Sequence, residues 1–148
     1  VTKVLVLCHG NINRSPLCEA VLLSHGLRVG SAGFVNPGRR ASKKMRTAAE
    51  ELGLSLEHHR SQLLTRELHE WADLIVYMDG GNLRRLEAFE QSLPWARDRV
   101  CLGEYAPSPI ARIPDPAFIK RDTPEFAAVV QLIHSCSETL AKKLIAGD

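Results

Sequence analysis

The stretch Val4-Leu5-Val6-Leu7-Cys8-His9-Gly10-Asn11-Ile12-Asn13-Arg14-Ser15-Pro16 compresses a strand, a turn and a helix start into one short run. The apolar run Val4 to Leu7 fits a strand buried on both faces of a parallel sheet. Ser15 is a good N-cap, and Pro16 suits the first helical position, where its missing N–H costs nothing. Between strand and helix, Gly10 and Asn11 are the residues that tolerate left-handed backbone angles. Such a loop can curl until the N–H groups of His9, Gly10, Asn11, Ile12, Asn13, Arg14 and Ser15 aim at one spot, an anion-binding nest at a helix N-terminus. Cys8 then sits at the base of the nest, where converging dipoles and the Arg14 guanidinium favour a thiolate. The planar Arg14 fork matches two phosphate oxygens. The whole arrangement suits attack by a thiol on a bound phosphate. The plainer reading makes Cys8 a small buried strand-end residue and Arg14 a solvated one. It requires the turn residues, the arginine and the cap to coincide without cause. A Walker-type nucleotide loop needs a lysine, and this loop has none.

Working outward, 148 residues are the size of one domain, so residues 1–148 are read as a single unit able to bury a substantial core. A content of 45% apolar and 24% charged residues is ordinary for a globular protein. The formal charge of +2 points to no nucleic-acid or membrane partner. The four cysteines, Cys8, Cys18, Cys101 and Cys136, are widely spaced with no C-x-x-C pair, which argues against a disulfide scaffold or a cysteine-zinc site. No apolar run is long enough to span a bilayer, and no signal peptide is expected ahead of the first strand. The expected setting is the reducing cytoplasm that a reactive thiol needs.

Apolar runs alternate with helical patterns along the chain. The periodicity predicts a helix over Pro16 to His25 stopped by Gly26, then a strand over Leu27 to Ala32. A loop with Asn36-Pro37-Gly38 precedes a helix from Ala41 to Leu52, with Met45, Ala48, Ala49 and Leu52 on one face and Gly53 at its end. A short helix near Thr65 to Trp71 leads into a strand over Ala72 to Met78. Asn82 to Gln91 reads as helix and Arg99 to Leu102 as strand. Asp122-Thr123-Pro124-Glu125 opens the last helix, whose apolar stripe runs through Phe126, Val129, Val130, Ile133, Cys136, Leu140 and Leu144. Alternating strand and helix predicts an α/β domain with a parallel sheet, and ligands of such sheets bind beyond the carboxyl ends of the strands. Cys8 lies at such an end.

Phosphoryl transfer to a thiolate needs a proton donor for the leaving oxygen unless that oxygen is already a good leaving group. Asp115, in Ile113-Pro114-Asp115-Pro116-Ala117-Phe118, is held extended by its flanking prolines and follows the fourth strand. Asp-Pro as an ordinary turn is the alternative. Asp79, just after the third strand, is the rival acid, with helix capping an equal claim on it. His59 and Ser31, each alone, read as structural. Glu57-His58-His59 hints at metal ligation, but adjacent histidines on a strand-like segment point apart. No metal or cofactor is expected.

These residues, in order, resemble the low-molecular-weight protein tyrosine phosphatases over nearly the whole chain. The shared features are Cys8 to Pro16, Ser31-Ala32-Gly33, His59-Arg60-Ser61, Met78-Asp79 with Asn82, and Asp115-Pro116. The resemblance implies a three-layer α/β fold, flavodoxin-like or Rossmann-like, with a four-stranded parallel sheet flanked by helices. It implies Cys8 as nucleophile, Arg14 as phosphate clamp and Asp115 as general acid, then base. Ser15 would hydrogen-bond the sulfur, while Asn11, Ser31 and His59 would form a buried network that shapes the loop. The implied substrate is a phosphotyrosine-containing protein or small aryl phosphate, and the implied state a monomer or weak dimer.

Three departures stand out. Asn13 occupies the place of the family's usual second cysteine, so an oxidised Cys8 lacks its usual partner thiol, and Cys18 is expected to face the core. The loop Phe34 to Arg40, with its basic Arg39-Arg40, looks short and lacks the tryptophan or tyrosine of eukaryotic members. Ala117-Phe118 replaces a tandem aromatic pair, leaving one ring. Three other functions stay open. A thioredoxin-coupled arsenate reductase would need redox cysteines near residues 80 to 90, absent here. A phosphoarginine phosphatase resembles this loop but carries threonine at the position of Ile12, where isoleucine favours a flat aryl ring. A non-catalytic phosphate-binding module would not need Cys8, Arg14 and Asp115 together.

Overall fold

Strand β1 (Lys3–Leu7) is the first of four parallel strands, followed by β2 (Arg28–Ala32), β3 (Leu74–Tyr77) and β4 (Asp98–Cys101). The computed structural model describes residues 2–147. The strands lie in the order β2-β1-β3-β4, with Leu5 opposite both Gly30 and Ile75, and Ile75 opposite Arg99. Helices α1 (Arg14–Ser24), α2 (Lys43–Glu51), α3 (Arg66–Trp71), α4 (Gly80–Glu90) and α5 (Pro124–Gly147) cover the two faces. The parallel sheet is the one that strand–helix alternation predicts, and the three-layer, four-stranded arrangement is the one that the family resemblance implies.

Alternation along the strands makes two cores. Val4, Val6 and Cys8 of β1 and its extension face Leu17, Cys18 and Leu22 of α1, Met45 of α2, and Ile133, Cys136 and Leu140 of α5. Leu5 and Leu7 face the other way, toward Ile75, Ala72, Leu64 and Leu86. Because β1 leads to β2 on one side and β3 lies on the other, the strand order reverses beside β1. Its carboxyl end therefore opens into the crevice where such sheets bind ligands. Among the described residues no helix is long and apolar enough to cross a membrane.

Several boundaries differ from the sequence reading. Helix α1 begins at Arg14, so Asn13 takes the N-cap position and Ser15 lies inside the first turn; no side chain caps this helix. The Ser15 hydroxyl is engaged elsewhere, as described below, and cannot serve as the cap. Helix α4 begins at Gly80 rather than Asn82, because Asp79 caps it by accepting from the Asn82 N–H at 2.9 Å. Helix α2 is shorter than Ala41 to Leu52, starting after Ser42, whose hydroxyl accepts from the Met45 N–H. The predicted starts of α3 after Thr65 and of α5 at Pro124 agree, with both threonines capping.

A buried polar cluster ties α3, α4 and β4 together at the sheet end away from Cys8. His69, fully buried, donates from Nε2 to Glu90 at 2.7 Å, and Arg99 reaches both Glu90 oxygens at 2.6 and 2.8 Å. Burial pushes the Glu90 carboxyl upward, but the bonds from His69, Arg99 and the Arg97 N–H outweigh it and hold the group below its usual range. A depressed carboxyl adds stability above its unfolded pKa of about 4.3, and that stability is lost as pH falls through the folded value. Glu90→Gln should cost about 2 kcal/mol at pH 7, because a neutral amide weakens the charge-assisted bonds that the carboxylate accepts from the part-buried Arg99. Urea unfolding should show this gap closing below about pH 4, and a gap independent of pH would contradict it.

Candidate active site

Cys8 leaves β1 with its N–H donated to the Ala32 carbonyl at 3.4 Å, and its side chain is buried. Among the described residues no protein group accepts from the backbone N–H groups of residues 9–13. The chain there is curled by Asn11, which takes the left-handed conformation at φ 57°. Gly10 does not adopt a positive φ. Its lack of a side chain serves instead to admit the Arg39 guanidinium, which a Cβ would meet at 3.0 Å. Gly33, at the end of β2, presses on the same loop, where a Cβ would come within 2.9 Å of the His9 carbonyl.

The Asn11 carboxamide holds this turn from inside. Its Nδ2 donates to Ser15 Oγ at 2.8 Å and to Ser31 Oγ at 2.9 Å, and its Oδ1 accepts from the Gln62 N–H at 3.0 Å. His59 Nε2 donates to the Asn11 carbonyl at 2.6 Å. Because Ser15 Oγ receives a proton from Asn11, its own proton is free for Cys8 Sγ, 3.0 Å away. The Ser15 N–H also points at the sulfur, at 3.4 Å. The structure thus brings together Asn11, Ser15, Ser31 and His59. Glu57 and His58 lie exposed in a turn rather than on a strand, and only His59 turns inward.

Glu19 completes this network, and the sequence reading missed it. Ser31 Oγ donates to Glu19 Oε1 at 2.7 Å, and His59 Nδ1 lies 3.8 Å from the same oxygen. Burial pushes the Glu19 carboxyl up, with the Ser31 bond opposing, while burial pushes the His59 imidazole down against its bond to Asn11. The available signal was spacing: Glu19 follows Ser15 by one helical turn, on one face of α1.

Arg14 is only 2% exposed. Its Nη1 donates to Asp79 Oδ2 at 2.7 Å and to the Ile113 carbonyl at 2.8 Å. Its Nη2 lies 3.7 Å from Asp115 Oδ2. Burial raises the Asp79 carboxyl, but the Arg14 bond and the Asn82 and Gly81 N–H groups prevail and keep it below its usual range. Asp79 is therefore an ionised partner of Arg14 and a helix cap, roles that leave it poorly suited to donate a proton. Asp115 is freer, with a 38% exposed side chain whose Oδ1 accepts from the Ala117 N–H at 3.0 Å.

A cleft of about 300 Å³ opens above these groups. Cys8 and Arg14 line its buried end, Ile12, Val35 and Phe118 give it apolar walls, and Arg39 and Asp115 are its charged neighbours. Phe118, 99% exposed, is the single ring expected after Asp115-Pro116. Arg40 turns away to Glu57 at 2.6 Å. Asn13 is buried, and its Oδ1 accepts from Ser42 Oγ at 2.5 Å. Cys18 faces the core, as expected, and burial pushes its thiol up to about 12.

A family model described as low molecular weight phosphotyrosine protein phosphatase matches residues 3–147. Wzb of Escherichia coli strain K12, a low molecular weight protein-tyrosine-phosphatase, is 35% identical over 147 residues, covering 97% of this chain and 96% of Wzb. The structure of Vibrio vulnificus Wzb in complex with benzylphosphonate is similar at a TM-score of 0.82 and 34% identity, covering 96% of this chain and 98% of that one. The YwlE arginine phosphatase from Geobacillus stearothermophilus is similar at a TM-score of 0.84 and 26% identity, covering 99% of this chain and 95% of that one. With a thiol at the base of a curled loop, a buried arginine beside it and a family match along nearly its whole length, this chain belongs to the low molecular weight phosphotyrosine protein phosphatase family.

Proposed function

We propose that this protein is a cysteine-dependent phosphomonoesterase that hydrolyses phosphotyrosine and other aryl phosphates through a phosphocysteine intermediate. The observation that carries this reading is the juxtaposition of the Ser15-bonded Cys8 sulfur, the open N–H groups of residues 9–13 and the buried Arg14. With Nη1 occupied by Asp79 and the Ile113 carbonyl, Arg14 offers its remaining edge to two phosphate oxygens. The open N–H groups of residues 9–13 supply the rest of the anion site, and their fixed dipoles stabilise the charge that builds on the transferring phosphoryl group.

The Cys8 thiolate attacks phosphorus, the bond to the phenolic oxygen breaks, and Asp115 gives that oxygen its proton. Water then attacks the phosphocysteine, Asp115 takes up the proton of the water, and the sulfur leaves as a thiolate. The Ser15 hydroxyl, at 3.0 Å, stabilises that thiolate. Asn11, Ser31 and His59 act by holding the loop rather than by touching substrate. The apolar walls of Ile12, Val35 and Phe118 suit a flat ring, and the Vibrio relative binds benzylphosphonate, a phosphonate carrying one such ring. Turnover of aryl phosphate, phosphoarginine and arsenate in one metal-free assay separates this reading from an arginine phosphatase or a reductase; preference for phosphoarginine or arsenate would overturn it.

Cys8→Ser should abolish hydrolysis of para-nitrophenyl phosphate yet retain phosphate binding, measured by calorimetry, because Arg14 and the loop N–H groups supply the anion affinity. Substantial residual turnover would exclude the phosphocysteine. Arg14→Lys should be equally severe, since a point charge cannot hold Asp79, a carbonyl and a phosphate at once.

Removing a general acid costs about 10²–10⁴-fold. Asp115→Asn should lose more on phosphotyrosine than on para-nitrophenyl phosphate, whose leaving group needs less protonation. Steady-state kinetics on both substrates check this. The opposite pattern, with Asp79→Asn showing the leaving-group dependence, would reassign the acid.

A further inference from the structure

The segment that carries Asp115 is tied down on both sides. Upstream, the Ile113 N–H donates to the Met78 carbonyl at 2.8 Å, and its own carbonyl accepts from Arg14. Downstream, the half-buried Lys44 of α2 sends its ammonium into the turn around Pro116–Phe118. Its Nζ lies 2.5 Å from the Pro116 carbonyl oxygen, 3.1 Å from that of Ala117 and 2.8 Å from that of Ile119. A lysine ammonium has three N–H donors, and all of them end on this one turn. The same Nζ sits 5.7 Å from the centre of the Phe126 ring, which fixes the side chain against α5.

Helix α2 is itself moored to the phosphate loop just before Lys44. The Ser42 N–H donates to the Ile12 carbonyl at 3.0 Å, and Ser42 Oγ donates to Asn13 Oδ1 at 2.5 Å. The first turn of α2 is thus a strut with one end on residues 12 and 13 and the other on the carbonyls that follow Asp115. The Asp115 carboxylate has little else to hold it: one bond to the nearby Ala117 N–H, and Arg14 at 3.7 Å. Proton transfer is steep in distance, and a carboxyl on an irregular loop is only as well placed as the contacts that fix the loop.

We propose that Lys44 is a positioning residue for the proton-transfer step, its ammonium gathering the carbonyls of Pro116, Ala117 and Ile119 so that Asp115 stands at a fixed distance from the phosphate loop. This rests on Asp115 being the proton donor. Loss of the ammonium returns three carbonyl oxygens to water and frees the turn, while the phosphate loop keeps its own network through Asn11. A guanidinium is a poor substitute, because its planar fork spreads its donors instead of converging them from one point.

The test compares Lys44→Met, which keeps the apolar stem, and Lys44→Arg with wild type by kcat/KM, which reports only the steps up to loss of the phenol, on phenyl phosphate and on dinitrophenyl phosphate. The ratio of the two rates does not depend on how much of a variant is folded. Lys44→Met should slow phenyl phosphate turnover about 10-fold, within the ~10²–10⁴-fold cost of losing the acid outright. It should leave kcat/KM for dinitrophenyl phosphate and inhibition by inorganic phosphate nearly unchanged, with Lys44→Arg in between. Added to Asp115→Asn, it should cost nothing further, because the two act on one step. Equal slowing of both substrates, or full additivity with Asp115→Asn, overturns the role of Lys44 while leaving Asp115 in place. If Asp115→Asn alone shows no leaving-group dependence and Lys44→Met does, the acid assignment falls and the strut serves a different donor on the same loop. If neither variant shows it, both readings fail.

Discussion

A guanidinium withdrawn almost completely from water is the constraint on which the rest of this site depends. An isolated buried charge costs several kcal/mol unless partners compensate it. Arg14 finds them in Asp79, the Ile113 carbonyl and, at longer range, Asp115. Asp79 follows β3 and the other two lie on the connection beyond β4, so the demand of one side chain gathers the carboxyl ends of three strands around Cys8. Asp79 also caps α4, which couples the placement of that helix to the charge at the site. The parallel sheet makes this feasible, because all its strands deliver their carboxyl ends to one edge.

A second constraint is the left-handed turn at Asn11. A non-glycine residue in that conformation is held by its surroundings, and here the surroundings are explicit. The carboxamide, the carbonyl and the neighbouring hydroxyls form one connected set from Glu19 through Ser31, Asn11 and Ser15 to the Cys8 sulfur. Each hydroxyl receives a proton on one side and gives one on the other, so the direction of donation is determined along the whole chain. The Ser15 hydroxyl could not both cap α1 and face the sulfur, and the helix goes without a side-chain cap.

Asn13 shows how a departure from the family pattern is absorbed. Its side chain lies buried against Ser42 at the head of α2, where it joins the phosphate loop to the strut that ends at Lys44. The thiol nearest along the chain, Cys18, is packed into the core shared by β1 and α1, its proton held tightly by burial.

The fold class and the pairing of Cys8 with Arg14 follow from short-range pattern in the chain. Val4 to Leu7 has to be buried on both faces, alternation of strand and helix then requires a parallel sheet, and Cys8 to Arg14 is close enough along the chain for local backbone geometry to bring thiol and arginine together. The start of the last helix at Thr123 and Pro124 was legible for the same reason, since capping acts over three or four residues. Contacts between elements depend instead on how those elements pack: Arg14 with Asp79, Ser31 with Glu19, and Lys44 with the carbonyls after Asp115. Local pattern favoured Asp115, held extended between two prolines, over Asp79, but both follow strands and both can cap a turn. The buried arginine engages Asp79 more closely than Asp115, a difference set by how the loops pack over the sheet edge.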